Sequence, residues 1–235
     1  CVVGGVSGDN CLVSFADSGF VLDVPNLLAA KPTAATLRAV RKSDSSQQCV
    51  PGFASGARTV QFSRSYSSPN IGTQPVVINS TAVTSATPVT LDFDATATAA
   101  LDVRYDDAGQ MNLSAAYSGS GLESGLVMVG ADDFVSKPYG LLLQTDTNSS
   151  CTADINCPLY PGNVRAGDPF SLRIKAVVWQ SDGEALTAAA LADNPLTPNF
   201  QLSNIDLRSQ VQAPAGGSDG GVGPTNSYDH ALGNQ

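Results

Sequence analysis

A two-residue alternation of apolar and polar side chains returns along most of this sequence and constrains its fold more than any other feature. Its clearest run is Phe170 to Val178. There the apolar residues Phe170, Leu172, Ile174, Ala176 and Val178 alternate with mostly polar ones. A period of two places one row of side chains on each face of a strand, so one face is buried and the other wet. Thr59–Tyr66 and Val89–Asp94 alternate in the same way. Leu101, Val103 and Tyr105 form one row, and Met111, Leu113, Ala115 and Tyr117 another, with Asp106-Asp107-Ala108-Gly109 between them. Asp and Gly supply turn dihedrals, so this pair reads as a hairpin. Leu126–Val129 and Phe134-Val135 add one or two further strands.

Turn signals recur at short intervals, and many short strands at this spacing indicate a β-sandwich. Helical signals are thin. Asn26–Ala39 is broken by Pro32. Ala185–Ala192 reads either as one short helix or as an Ala-rich loop between strands. The expected fold is all-β: tandem immunoglobulin-like β-sandwich domains with disulfides. The first domain covers 1–136. Near Ser136-Lys137-Pro138 a strand ends and a Pro-marked extended segment begins, so a second sandwich covers 137–212. Residues 213–235 are rich in Gly, Pro, Ser and Asn and read as a linker or as the start of a further domain.

Charge narrows the function classes. Only 14% of residues are charged and the net charge is −9 with 12 Lys plus Arg. The basic patches that neutralise phosphate are missing, so no nucleic-acid partner is expected. No apolar run approaches the ~18 residues of a membrane-spanning helix. The hydrophobic fraction of 42% still supports a packed core, which excludes wholesale disorder.

Five cysteines stand at 1, 11, 49, 151 and 157, with no CxxC pair and a single histidine, His230. A His/Cys zinc site lacks ligands. Disulfides are the better reading. Cys151 and Cys157 close a short loop, and Cys11 and Cys49 flank the strand-like DSGFVLDVP segment. In the loop-closure description, bridging Cys11 and Cys49 removes roughly 3–4 kcal/mol of unfolded-chain entropy. Cys1 is left over and would pair with a residue further upstream or with another chain. Paired cysteines and sparse lysine place the chain in an oxidising, extracytoplasmic compartment. The chain opens on Cys1 with no basic or apolar leader, so it reads as a processed or excised piece, and a lipidated N-terminal cysteine is one version of that.

Chemistry-bearing constellations are few. A Ser or Cys nucleophile needs an adjacent base, and the one histidine lies in the Gly-rich tail. Paired carboxylates of the glycosidase type are sought at Asp92 and Asp94, at Asp106 and Asp107, and at Asp132 and Asp133. Solvated strand and turn faces are the preferred account of all three pairs. A structural calcium is weighed at Asp102, Asp106 and Asp107, since calcium takes hard oxygen ligands from loops. Turn capping is the favoured alternative there, and no other cofactor is expected. Asn79, Asn112 and Asn148 match glycosylation acceptors by composition alone. Lys175 is a weak candidate for an isopeptide donor because it alternates outward with Arg173. Trp179, the one tryptophan, reads as core or inter-domain packing.

The order of several segments resembles a known family. It opens with Cys11-Leu-Val-Ser-Phe-Ala-Asp-Ser-Gly-Phe-Val-Leu-Asp-Val-Pro-Asn. Thr36-Leu-Arg-Ala-Val-Arg-Lys-Ser-Asp, Cys49-Val-Pro-Gly-Phe and Arg58-Thr-Val-Gln-Phe-Ser follow. Tyr105-Asp-Asp-Ala-Gly-Gln-Met-Asn-Leu-Ser-Ala, Asp133-Phe-Val-Ser-Lys-Pro, Ala166-Gly-Asp-Pro-Phe and Thr197-Pro-Asn-Phe complete it. This order is similar to the C-terminal region of MshQ-like proteins, which accompany MSHA-type type IV pilus clusters of Gram-negative bacteria. The resemblance spans residues 11 to about 220 and rests on order and spacing, not on one motif. It implies a non-enzymatic, extracellular, β-rich module of a pilus-associated surface protein, with no catalytic residues. It also supports pairing Cys11 with Cys49. Expected partners are other domains of the same surface protein, pilus components or neighbouring copies, and host or surface glycans. Two other readings stand beside it: a filament subunit assembled through its termini, and a carbohydrate-active enzyme using carboxylates.

Overall fold

The structure is a computed structural model, and it describes residues 2–3, 6–7, 17–45, 48–145, 172–206 and 227–231. Cys1, Cys11, Cys151, Cys157, Asn148 and Phe170 lie outside the described residues.

The described chain is all-β apart from two 3-10 turns, at Gly121–Glu123 and Leu191–Asp193. Two short strands, β1 (Val2–Val3) and β2 (Val6–Ser7), pair with each other. The strands that follow are β3 (Ser18–Asp23), β4 (Leu27–Leu28), β5 (Thr33–Lys42), β6 (Cys49–Pro51), β7 (Gly56–Ser68), β8 (Val76–Ile78) and β9 (Thr81–Val83). Next come β10 (Thr87–Phe93), β11 (Thr98–Tyr105), β12 (Gly109–Ser118) and β13 (Val127–Lys137). One sheet has the order β10-β7-β12-β13-β4, and the other β3-β5-β11-β8-β9 with β6 beside β5.

These two sheets face each other across one core. β12 turns Met111, Leu113, Ala115 and Tyr117 inward, β11 turns Leu101, Val103 and Tyr105, and β7 supplies Val60 and Phe62. Phe53 joins the aromatic rings, with centroids 5.1 Å from both Phe93 and Tyr117 and 6.1 Å from Phe20. The outward residues of β10 and β11 (Thr90, Asp92, Ala100, Asp102) are exposed, so the alternation is the buried–wet pattern of a two-sheet sandwich.

One expectation is corrected. The rows 101–105 and 111–117 do not form a hairpin. β11 pairs with β5 and β8, while β12 pairs with β7 and β13. The Asp106–Ala108 segment is therefore an arch that carries the chain from one sheet to the other. Alternation cannot tell the two apart. In a hairpin the apolar rows share one face, and in an arch they face each other across the core.

The sheets also meet at a seam between β3 and β13. Ser18 Oγ donates to the Val127 carbonyl at 3.1 Å. The Val24 and Val135 amides donate to Asp132 Oδ2 and Asn26 Oδ1, both at 2.8 Å. Gly130 lies directly against the Phe20 backbone, where a Cβ would collide with it.

Asn26–Ala39 is extended, holding β4, a turn and most of β5. Ala185–Ala192 is a loop entering the 3-10 turn at Leu191.

A second unit follows Pro138. Its β14 (Gly140–Thr145) pairs with β15 (Leu172–Val177) over a small core of Leu142, Val177 and Leu191 with Tyr139 packed on it. β16 (Leu202–Asp206) pairs with β17 (Ser227–His230). The tail, expected as a linker or as the start of a further domain, contributes a strand that returns to Leu202. Tyr228 and His230 carry it: the His230 imidazole is buried and packs on Phe200 and Tyr228 at 5.3 and 5.7 Å. No helix among the described residues is long and apolar enough to cross a membrane.

Candidate functional site

The structure sends the three candidate calcium ligands in different directions. Asp102 is exposed on β11, and its backbone, not its carboxylate, is tied to Asn79: its amide donates to Asn79 Oδ1 at 2.8 Å. Asp106 forms an ion pair with Arg104 two residues earlier, Nε to Oδ1 at 2.9 Å. Asp107 is fully buried. Among the described residues no group of three His, Cys, Asp or Glu side chains could hold a metal ion.

The other carboxylate pairs work as local caps. Asp94 Oδ1 accepts from the Thr96 and Thr98 amides and from the Thr96 hydroxyl. Those hydrogen bonds, led by the Thr98 amide, lower its pKa. Asp132 holds the β3–β13 seam, and Asp133 accepts from Asn112 at 2.9 Å. Asp92 is exposed on the outer face of β10. Cys49 is exposed and forms no disulfide with any described residue.

Asp107 leads to the most built polar site in the described chain, the junction of the two β units. Its Oδ1 accepts from the Ala108 amide at 2.7 Å and, across the junction, from the Asn199 amide at 3.1 Å. The Ser136 hydroxyl donates to the Asp107 carbonyl at 2.6 Å. Desolvation raises the Asp107 pKa, opposed by the Asn199 and Ala108 amides. Tyr105 lies beside it, and its hydroxyl meets the Asn199 side chain; burial, then the neighbouring Asp107, pushes its pKa up.

A second grip comes from the turn between β4 and β5. Ala30 is held at φ 67°, left-handed backbone that costs a non-glycine residue about 1–2 kcal/mol. The strained turn is over-determined. The Ala29 amide donates to the Lys137 carbonyl at 2.7 Å and the Ala30 amide to the Tyr105 carbonyl at 2.8 Å. This leaves the Ala29 carbonyl to accept from the Trp179 amide of the second unit at 2.9 Å. Lys31 reaches the same loop, ion-paired to Asp182 and 5.4 Å from the Trp179 ring centroid. Lys31 lowers the Asp182 pKa. Trp179 is thus inter-domain packing, one of its two expected roles.

Between the units opens a cleft of about 600 Å³. Pro69, Val135 and Pro138 line one side, and Tyr139, Phe200 and Leu202 the other. Its walls are mostly apolar. The sequence reading missed Asn199 and Lys31 here, because each meets its partner across 92 and 151 positions and carries no local signal.

A further cluster braces the loop after β12. Arg58 donates to both Glu123 carboxylate oxygens, Nη2 to Oε1 at 2.6 Å, and the Tyr117 hydroxyl donates to Oε2. The Arg58 guanidinium also lies 5.2 Å from the Phe53 ring centroid. Arg58, then Tyr117, lowers the Glu123 pKa. Every charge in this cluster is matched, so it is a clamp on the Gly121–Glu123 turn.

The architecture defines an all-β protein whose first unit is a two-sheet sandwich. Residues 1–131 match a family model described as a domain of unknown function (DUF6701), first Ig-like domain. Residues 137–235 match the second domain of the same family. The chain belongs to the DUF6701 family. No curated protein and no solved structure matches it.

Proposed function

We propose that this chain is a non-enzymatic structural and adhesive module of an extracellular, pilus-associated surface protein of a Gram-negative bacterium, of the MshQ-like kind. The observation that carries the reading is the junction. Two β units grip each other through backbone and buried polar contacts at separate points, Ala29 with Trp179 and Asp107 with Asn199. A stalk or presenting domain needs this: a fixed angle between modules that passes load without a cofactor. The ordered resemblance from Cys11 onward supports the pilus setting, and the Ig-like first domain supports the stalk role. Partner contacts would use loops at the sandwich ends or the edge of β10, which among the described residues pairs only with β7.

The test is electron microscopy with mass spectrometry on surface material sheared from the source cells. The proposal expects the chain in that fraction at low copy number, co-purifying with pilins. Abundant copies at a fixed axial repeat would replace it with the filament-subunit reading. Confinement of the chain to the cell interior would remove both.

A further inference from the structure

We propose that the junction between the two β units is a proton-sensitive joint, in which the units dock more tightly when Asp107 carries a proton. This goes beyond the stalk reading and does not need it. The argument starts from the carboxyl group's two oxygens. Asp107 is wholly buried. Oδ1 holds two backbone amides, one on each side of the junction. Oδ2 is buried with no hydrogen-bond partner. An ionised carboxylate with one bare oxygen in a dry site is costly, and a proton on Oδ2 removes the charge while leaving both Oδ1 bonds in place.

Among the described residues no cation donates a hydrogen bond to this carboxylate. On the chain's own arch, Asp106 is taken by Arg104. From β11, Tyr105 faces the carboxylate, and from β7, Tyr66; burial raises the pKa of both, so both stay neutral. Arg64, on that side, is stacked 4.2 Å from the Tyr66 ring centroid. It acts on the two tyrosines and makes no hydrogen bond to Asp107. β13 contributes the neutral Ser136 hydroxyl, which bonds the Asp107 backbone. The second unit contributes the neutral Asn199.

The sign follows from linkage. Burial raises this carboxyl's pKa above its unfolded value of about 4. Its stabilising contribution is therefore complete below the unfolded value and is lost as the pH rises through the folded one. Lifting the Asn199 segment away rehydrates the carboxylate, so the loss falls on the joint. A single proton weakens docking by at most about tenfold per pH unit between the undocked and the docked value, and no further above the docked one.

Trp179, the only tryptophan, sits at this joint and reports on it. The experiment uses the 235-residue chain and follows Trp179 emission and hydrogen exchange of the Trp179 and Asn199 amides from acid to neutral pH. Exchange is corrected for its intrinsic pH dependence. The wild type is expected to lose protection and shift its emission to the red as the pH rises. Asp107→Asn, uncharged at every pH, is expected to show neither change. Matching pH profiles in the two proteins, or a wild-type joint that loosens in acid, would overturn the proposal. Should Asp107→Asn fail to fold, an NMR titration of the wild-type Asp107 carboxyl decides. A midpoint above the ordinary aspartate value supports the joint, and one at or below it removes the idea.

Discussion

A single methyl group at Gly130 tests the seam that closes the first unit. A Cβ there would overlap the Phe20 carbonyl oxygen and stand 2.7 Å from Phe20 Cβ and 2.9 Å from its carbonyl carbon. Carbon atoms pack at about 3.5–4.0 Å, so β3 would have to retreat by roughly 0.8 Å or more. The obstacle is largely backbone, so no change of rotamer relieves it. The retreat would drag Phe20, whose ring packs on Phe53 and Phe93. Overpacking of this kind costs about 1–3 kcal/mol. Restricting the unfolded chain by Gly→Ala returns about 0.4–1 kcal/mol. The net expectation for Gly130→Ala is a loss of about 1–2 kcal/mol. At about 3–6 °C per kcal/mol for a unit of this size, its melting temperature falls by roughly 3–12 °C. Gly19 is the internal control on the same seam. A Cβ there meets only the Val129 carbonyl oxygen, at 3.4 Å, which is ordinary contact. Gly19→Ala carries the same unfolded-state term without the collision, so it should melt at or slightly above the wild type. Far-UV circular dichroism melts of the three proteins settle the matter. If Gly130→Ala and Gly19→Ala melt together, β3 and β13 do not pack as described.

Four further outcomes can be measured. Arg58→Ala should cost about 1 kcal/mol in a denaturant melt, because the pair is partly exposed and Tyr117 still holds Glu123; no change would show the clamp to be idle. Since Arg58 lowers the Glu123 pKa, the stabilisation from Glu123 is present above the ordinary glutamate value and fades as the pH falls through the lowered one, so Glu123→Gln should flatten the acid side of a stability–pH profile. A chelator should leave the melting curve unmoved, since Asp102, Asp106 and Asp107 point apart; a shift of several degrees would reveal an ion held elsewhere. The Cys11–Cys49 bond that the resemblance implies would make exposed Cys49 resist a thiol reagent until the protein is reduced, with peptide mapping placing the bond; immediate labelling of unreduced protein would dismiss that pairing.

Strands that face one core were legible from the sequence, and strands that borrow their meaning from neighbours were not. Met111 to Tyr117 alternates cleanly because β12 lies in mid-sheet with one wet face. β5 hides because Ala34, Ala35 and Ala39 lean towards helix; what makes it a strand is the company of β3 and β11 on its two sides. The acidic arch misled for a related reason. Asp106 and Asp107 are adjacent in sequence, yet one faces Arg104 near the surface while the other is sealed beneath Asn199. Adjacent residues in an arch leave it in opposite directions, and no pattern in the sequence records which one the second unit covers. In the tail, composition hides the strand. A Gly-rich stretch conceals the short run Ser227–His230, whose aromatic pair earns its place only beside Phe200.

The junction's contacts differ in kind, and that difference decides how it should yield. The covalent crossing at Pro138 alone would leave a hinge, so rigidity must come from the contacts around it. The Lys31–Asp182 pair is the most conspicuous, but Asp182 is 78% exposed, and an exposed pair is screened by salt and contributes little. The Trp179–Ala29 bond is between backbone groups, with Ala29 fully buried and its turn fixed by two further amides. Its net worth is about 1 kcal/mol, and neither salt nor pH reaches it directly. The Asp107–Asn199 bond is the one whose partner can change charge without leaving its place. Raised salt should therefore leave the two units docked, whereas removing one proton from one buried carboxyl should begin to part them.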